Sequence, residues 1–206
     1  NYFSGIFDGQ GYSISHILID DTNVLNGLFG WINNAAIKDL TIRDISIQNE
    51  LPDSYNGALA AQAQDTEING VTAVDVSINT TGTAGGLIGL SQYNVSLNHT
   101  AVLNSDVTSR IGGGLIGKAI AYNGNVINSF TEGKLTAHQS SSALVNLGGI
   151  IGTVIGSDNA SLESTAATAF TIQNSYTHSE INSTLSNPEI TVYTGGLVGQ
   201  VNSYIA

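Results

Sequence analysis

Cysteine and methionine are both missing from this chain of 206 residues, which also has only two prolines and one tryptophan. Without cysteine there is no disulfide framework and no thiolate metal site, so burial and hydrogen bonds alone must hold the fold. Basic residues are scarce: Lys38, Arg43, Arg110, Lys118 and Lys134 stand against 16 acidic residues, for a formal net charge of −11. A surface of that sign repels phosphate, which excludes nucleic-acid binding and docking on anionic membranes. No apolar run approaches the ~20 residues of a membrane span, and no signal-peptide pattern opens the chain. Charged residues make up 10% of the sequence, and Asn, Ser, Thr and Gly fill the polar positions instead. Short polar side chains compete with helical hydrogen bonds and favour strands and turns.

What is abundant is glycine, and it recurs in one motif. Gly85-Gly86-Leu87-Ile88-Gly89 has close copies at Asn26–Gly30, Gly113–Gly117, Gly148–Gly152 and Gly195–Gly199, with a weakened Asn56-Gly57-Ala58-Leu59-Ala60. Counted from residues 27, 57, 86, 114, 149 and 196, the spacings are 30, 29, 28, 35 and 47. A period near 29 marks a solenoid, whose units bury their apolar faces only by stacking on one another. The motif glycines have two readings, corners of positive φ or close approach of neighbouring backbone.

Between motifs the units align in columns. Ile37, Ile68, Leu97, Val126 and Ile172 form one, followed two residues later by Asp39, Gly70, His99, Asn128 and Asn174. Further columns are Leu40, Val71, Thr100, Ser129, Ser175 and Ile42, Ala73, Val102, Thr131, Thr177. A last one, Ile47, Ile78, Val107, Leu135, Ile181, needs a one-residue slip in its final two members. Period-2 alternation with β-branched residues predicts strands throughout, with aliphatic stacks inside and amide ladders at the turns. The expected fold is an all-β, parallel, right-handed β-helix (β-solenoid) of about six coils. It forms one domain over 1–206, with an opening coil over 1–26. The chain stops ten residues after Gly196, inside a fresh repeat, which reads as a fragment of a longer protein. Insertions relative to the 29-residue unit fall near His138 to Ser142 and over Gly156 to Ala169, where binding loops are expected.

The Gly-Gly-Leu-Ile-Gly copies, with Val126-Ile127-Asn128-Ser129-Phe130-Thr131 and Ile172-Gln173-Asn174-Ser175-Tyr176-Thr177, resemble the GLUG-motif repeats of bacterial surface proteins. The opening Phe3-Ser4-Gly5-Ile6-Phe7-Asp8-Gly9-Gln10-Gly11 is similar to the segment that precedes such repeats. The resemblance implies a β-solenoid, secreted or on the cell surface, within an adhesin or the non-catalytic region of a secreted protease. One departure is Ala58-Leu59-Ala60-Ala61 in place of motif glycines, which predicts a different corner there.

Catalytic patterns were weighed against this. His16, His99, His138 and His178 are far apart with no His-Glu-x-x-His string, and no Gly-x-Ser-x-Gly elbow occurs. A polysaccharide-cleaving enzyme, or its substrate-holding domain, is the alternative, because it needs paired carboxylates or acidic calcium ligands. Asp44 and Asp75 share a column, continued by Asn104 and Gly133, and are the candidates for a calcium site or a catalytic pair; the plain reading is turn caps facing water. Tyr93, Tyr122 and Tyr204 follow their motif glycines by seven or eight residues and are the candidates for an aromatic ligand stripe, with packing over glycine corners as the alternative. The expected function is a non-enzymatic adhesin or stalk without an obligate cofactor, its partner a host or environmental glycan or matrix protein.

Overall fold

The computed structural model describes residues 1–121, 123–139, 144–156, 170–187 and 189–203. Among these the chain is all-β, without a helix, and every strand pairing is parallel. Parallel in-register stacking is what the columns require, since equivalent residues of successive coils then lie above one another.

Each turn of the solenoid visits four ladders. The first contains Leu25–Asn26, Tyr55–Gly57, Thr83–Gly85, Ile111–Gly113, Val145–Gly148 and Val192–Gly195. The second takes the start of Phe29–Asn49, then Ala60–Gln64, Ile88–Tyr93, Ile116–Ala121, Ile151–Gly156 and Val198–Ser203. Phe3–Asp8, Ser96–Asn98, Asn125–Ile127 and Thr171–Gln173 belong to the third, and Ser13–Asp20, Ala101–Ser109, Phe130–Ala137 and Tyr176–Asn182 to the fourth. Phe29–Asn49 and Glu67–Thr80 each run across ladder boundaries without a break.

Four circuits, 25–49, 55–80, 83–109 and 111–137, follow the plan with little variation, fewer than the six or so coils expected. The sequence count treated every motif as a coil. A fifth circuit, 145–182, encloses residues outside those described, and 3–20 and 192–203 are part-turns. The fifth circuit and the closing part-turn supply the two further strands that make the first ladder six deep.

The bends within a circuit come from single residues in the left-handed region. Phe29–Asn49 bends at Asn34, Asp39 and Asp44, with φ of 50°, 50° and 52°. The next coil repeats them at Asp65, Gly70 and Asp75, and the third at Tyr93, His99 and Asn104. Asn, Asp and Gly tolerate this conformation best and recur five residues apart at the corners of the first two coils, whereas in the third Tyr93 and His99 take two of the places, six residues apart. Gln10 and Gly11 make the opening turn in the same way, with φ of 52° and 75°.

None of the motif glycines has positive φ, which decides between their two readings. A Cβ on Gly85 would lie 2.0 Å from the carbonyl oxygen of Ile88, and one on Gly117 would lie 2.7 Å from that of Ala84. The motif is a tight reversal from the first ladder to the second, and the two strands approach too closely for side chains. The weakened motif is also in a different register from the expected one: Gly57 lies against Gly85, so Ala58 takes the place of Gly86. That corner keeps the common conformation, because Leu59 and Ala60 both donate to Leu87 O as Leu87 and Ile88 do to Leu115 O. The corner that differs belongs to the first motif, where Leu28 donates to Ala58 O and Phe29 to Leu59 O. Between Asn26 and Phe29 the chain is one residue shorter than between their partners Asn56 and Ala60.

The core follows the columns. Ile37, Ile42, Ile47, Ile68, Ile78, Leu97 and Val107 are at most 1% exposed, and each contributes roughly 1.5–3 kcal/mol relative to exposure. The column from Ile42 becomes polar at Thr131 and Thr177, where Thr131 Oγ1 donates to Gly149 O at 2.8 Å and so satisfies a buried turn carbonyl. Phe3 and Phe7 pack on Phe29, with ring centroids 5.2 and 5.6 Å apart, in the first turn. In the last part-turn Leu197 is 47% exposed, whereas Leu59, Leu87, Leu115 and Ile150 are fully buried.

Candidate functional site

The corner from the fourth ladder back to the first is the irregular side of the solenoid. Asp20, Gln48 and Asn79 stack on its rim in successive coils. Behind them Asn49 donates to Asn23 O at 2.7 Å and accepts from Leu51 N at 2.7 Å, tying two turns of the corner together. Further in, Asn26 donates to Asn56 Oδ1 at 3.0 Å, and Asn56 donates to Thr80 Oγ1 and Thr83 O. These buried amides fix the corner backbone and leave the rim side chains facing outward. A cleft of about 510 Å³ opens there, lined by Asp20, Asp21, Gln48, Glu50, Asn79 and His138 among others. Three carboxylates beside amides and an imidazole suit a ligand rich in hydroxyl or cationic groups and repel an anionic one.

Two long connections, 138–144 and 183–191, belong to this corner. The first holds the first insertion, as expected from the sequence; His138 N donates to Ser109 O at 3.0 Å at its start. The second insertion, expected to include Gly156 to Ala169, has a further part besides that stretch. Part follows Gly156, where 157–169 lie outside the described residues, and part extends the corner between Asn182 and Val192. Gln139 joins the two corner loops: its Nε2 donates to Thr184 O at 2.8 Å, and its Oε1 accepts from Ser186 N at 3.1 Å and Ser186 Oγ at 3.0 Å.

Asp44 and Asp75 do fall in one column, in a run of left-handed residues from His16 through Asp44 and Asp75 to Asn104. Each carboxylate is held by its outer neighbour, His16 Nε2 lying 3.6 Å from Asp44 Oδ2 and Asn104 Nδ2 donating to Asp75 Oδ1. Their visible role is to bend the strand. Gly133 does not continue the run, because it pairs with Ser105 across a one-residue shift. Among the described residues no group of three or more His, Asp or Glu side chains is arranged to hold a metal ion.

Of the three tyrosines expected to form a stripe, Tyr93 alone is among the described residues. Tyr93, a 37% exposed residue with φ of 59°, pairs with Ala121, and that column continues through Gly156 to Ser203. Tyr122 and Tyr204 lie outside the described residues. Among the described residues an aromatic stack is formed by Phe130 on Tyr176, with centroids 5.1 Å apart and planes 8° from parallel. Charge pairing runs between coils as well. Lys38 meets Asp8 at 2.9 Å, and that hydrogen bond holds the Asp8 carboxyl below its ordinary value and the Lys38 amine above its own.

The cleft lined by Asp20, Glu50 and Asn79 went unrecognised in the sequence, although a signal was there: Asp20-Asp21 and Glu50-Leu51-Pro52-Asp53 are acidic clusters at the same corner of successive units. Comparison with protein-family models, curated proteins and solved structures finds no match to this chain.

Proposed function

We propose that the chain is a non-enzymatic recognition module of a secreted or surface-attached bacterial protein, of the GLUG-repeat kind. It contacts a host or environmental glycan or matrix protein at the loop corner. The observation that carries this reading is the Gln139 clamp, which joins the corner loops of two coils immediately next to His138, a residue that lines the cleft. Loops set on a rigid scaffold are where recognition is commonly built. The cleft's carboxylates and amides favour a hydroxyl-rich partner over an acidic one. A stalk is the second reading, favoured by the unbroken parallel ladders, which make a stiff rod.

The labelled chain applied to an array of glycans and matrix proteins, with and without calcium, tests the choice. The comparison is a variant in which 139–144 and 183–190 are replaced by short turns. Saturable binding that disappears with the loops supports recognition at the corner; absence of binding across the array supports the stalk.

A further inference from the structure

The cleft at the loop corner runs along the rod and not around it. Its lining comes from successive coils: Asp20 from the opening part-turn, Gln48 and Glu50 from the first circuit, Asn79 from the second, and His138 from just past the fourth. Asp20, Gln48 and Asn79 pair in register, and the same column continues through Thr108 to Thr136. Strand alternation turns this column outward, since the one before it, with Ile47, Ile78, Val107 and Leu135, is buried in the core.

The polar side chains of this column do not bond to one another. On other faces of the rod stacked polar groups close on themselves between coils: Gln62 donates to Gln92 Oε1 at 2.6 Å, Ser96 to Asn125 Oδ1 at 2.7 Å and Asn128 to Asn98 Oδ1 at 3.1 Å. Among the described residues the side chains of Asp20, Gln48, Asn79, Thr108 and Thr136 have no hydrogen bond or ion pair. Asn182, next in line, ends the series, because its Oδ1 accepts from Thr184 N at 3.2 Å within its own loop. Free polar groups thus recur at intervals of about 4.8 Å, over roughly 19 Å along the axis.

A ligand that uses these groups must repeat at that interval. An extended peptide does not, because side chains on one of its faces recur only every ~6.6 Å. An extended β-linked hexose chain does, each residue advancing by nearly one coil and presenting hydroxyls that both donate and accept. Asp20 and Glu50 repel an acidic chain. We propose, building on recognition at the loop corner, that the cleft holds a neutral, extended β-linked glycan laid parallel to the rod axis, one sugar residue to each coil from Asp20 to Thr136.

The test is calorimetric titration of the whole chain with cello-oligosaccharides of increasing length, from the disaccharide to the hexasaccharide. Affinity is expected to rise about tenfold or more from the disaccharide to the pentasaccharide and to level off there, as each added residue reaches another coil. The malto-pentasaccharide, coiled where the cello-oligosaccharide is extended, and the acidic pentamer of galacturonic acid should each bind about tenfold more weakly or worse. Gln48→Ala and Asn79→Ala should each lower pentasaccharide affinity about fivefold, the equivalent of one neutral hydrogen bond. Gln92→Ala, on the second ladder, should leave it unchanged; melting curves verify that each variant is folded. Affinity that does not grow with length, equal binding of the malto-pentasaccharide, or folded Gln48→Ala and Asn79→Ala that bind like wild type would overturn the axial arrangement and leave recognition at the corner standing. Absence of binding by every cello-oligosaccharide overturns it too, and the glycan and matrix-protein array then decides separately whether the corner recognises another partner.

Discussion

The Cβ that Gly86 lacks would lie 2.3 Å from the carbonyl oxygen of Gly114, one coil further on. Across the core it would also meet Val102 Cγ1 at 2.8 Å. One coil earlier Ala58 holds the equivalent place, so glycine is required at 86 by the close approaches of its own coil, to Gly114 O and to Val102, and not by stacking at every corner. Gly86→Ala is expected to destabilise the fold by about 2–3 kcal/mol in urea unfolding. Gly112→Ala should cost roughly 1 kcal/mol or less, since its Cβ would meet Ser109 Oγ and Leu147 Cδ2, side-chain ends that can rotate. Equal losses from the two variants would contradict this assignment.

The left-handed corners give predictions of opposite sign. Asp75→Val places a β-branched residue at φ of 57° and should cost about 1–2 kcal/mol. Tyr93→Asn relieves a bulky residue at φ of 59° and should stabilise by about 0.5–1 kcal/mol. Thermal melts of both variants decide it, and a less stable Tyr93→Asn would show that the ring contributes more than its backbone strain takes away.

Gln139→Ala should loosen the loop corner without unfolding the rod. Amide exchange at Ser186, whose N–H donates to Gln139 Oε1, is expected to quicken, while global stability changes by less than about 0.5 kcal/mol. Unchanged exchange at 184–187 would remove the clamp from the account.

Lys118 offers a pH test. Burial first, then the Arg110 charge, holds its folded pKa below the ordinary 10.5, so the folded chain releases this proton before the unfolded chain does. The charge therefore weakens the fold below the folded pKa, and stability recovers as pH rises from there towards 10.5. Lys118→Met should be more stable than wild type at pH 7, by at most about 1 kcal/mol for a half-exposed group. The difference should shrink towards pH 10.5; a constant difference would point to packing instead.

The apolar columns were legible in the sequence because parallel stacking puts equivalent residues in contact. Ile37, Ile68, Leu97, Val126 and Ile172 pair as their spacing implies. One-residue slips were not legible. Gly57 matches either glycine of the next motif in type, and only the hydrogen bonds of Leu59 and Ala60 choose Gly85 for it. The αL residues were seen as a polar column, yet their conformation became plain only with Asn34, Asp39 and Asp44 in one strand. The cleft was hidden for a different reason: it joins residues of several coils whose side-chain types do not repeat from unit to unit.

The central claim is a solenoid whose coils can be exchanged because their registers agree, and Gly85 pairing with Gly113 defines the interval of 28 residues. The most direct measurement is cooperative unfolding, together with small-angle scattering, of two deletions, one removing 86–113 and one removing 86–112. The first joins equivalent points and should fold into a rod about 4.8 Å shorter. The second shifts every later strand by one residue, turning core side chains to solvent, and should not fold cooperatively. If both deletions fold alike, or if the in-register one collapses, the coil-by-coil account is wrong.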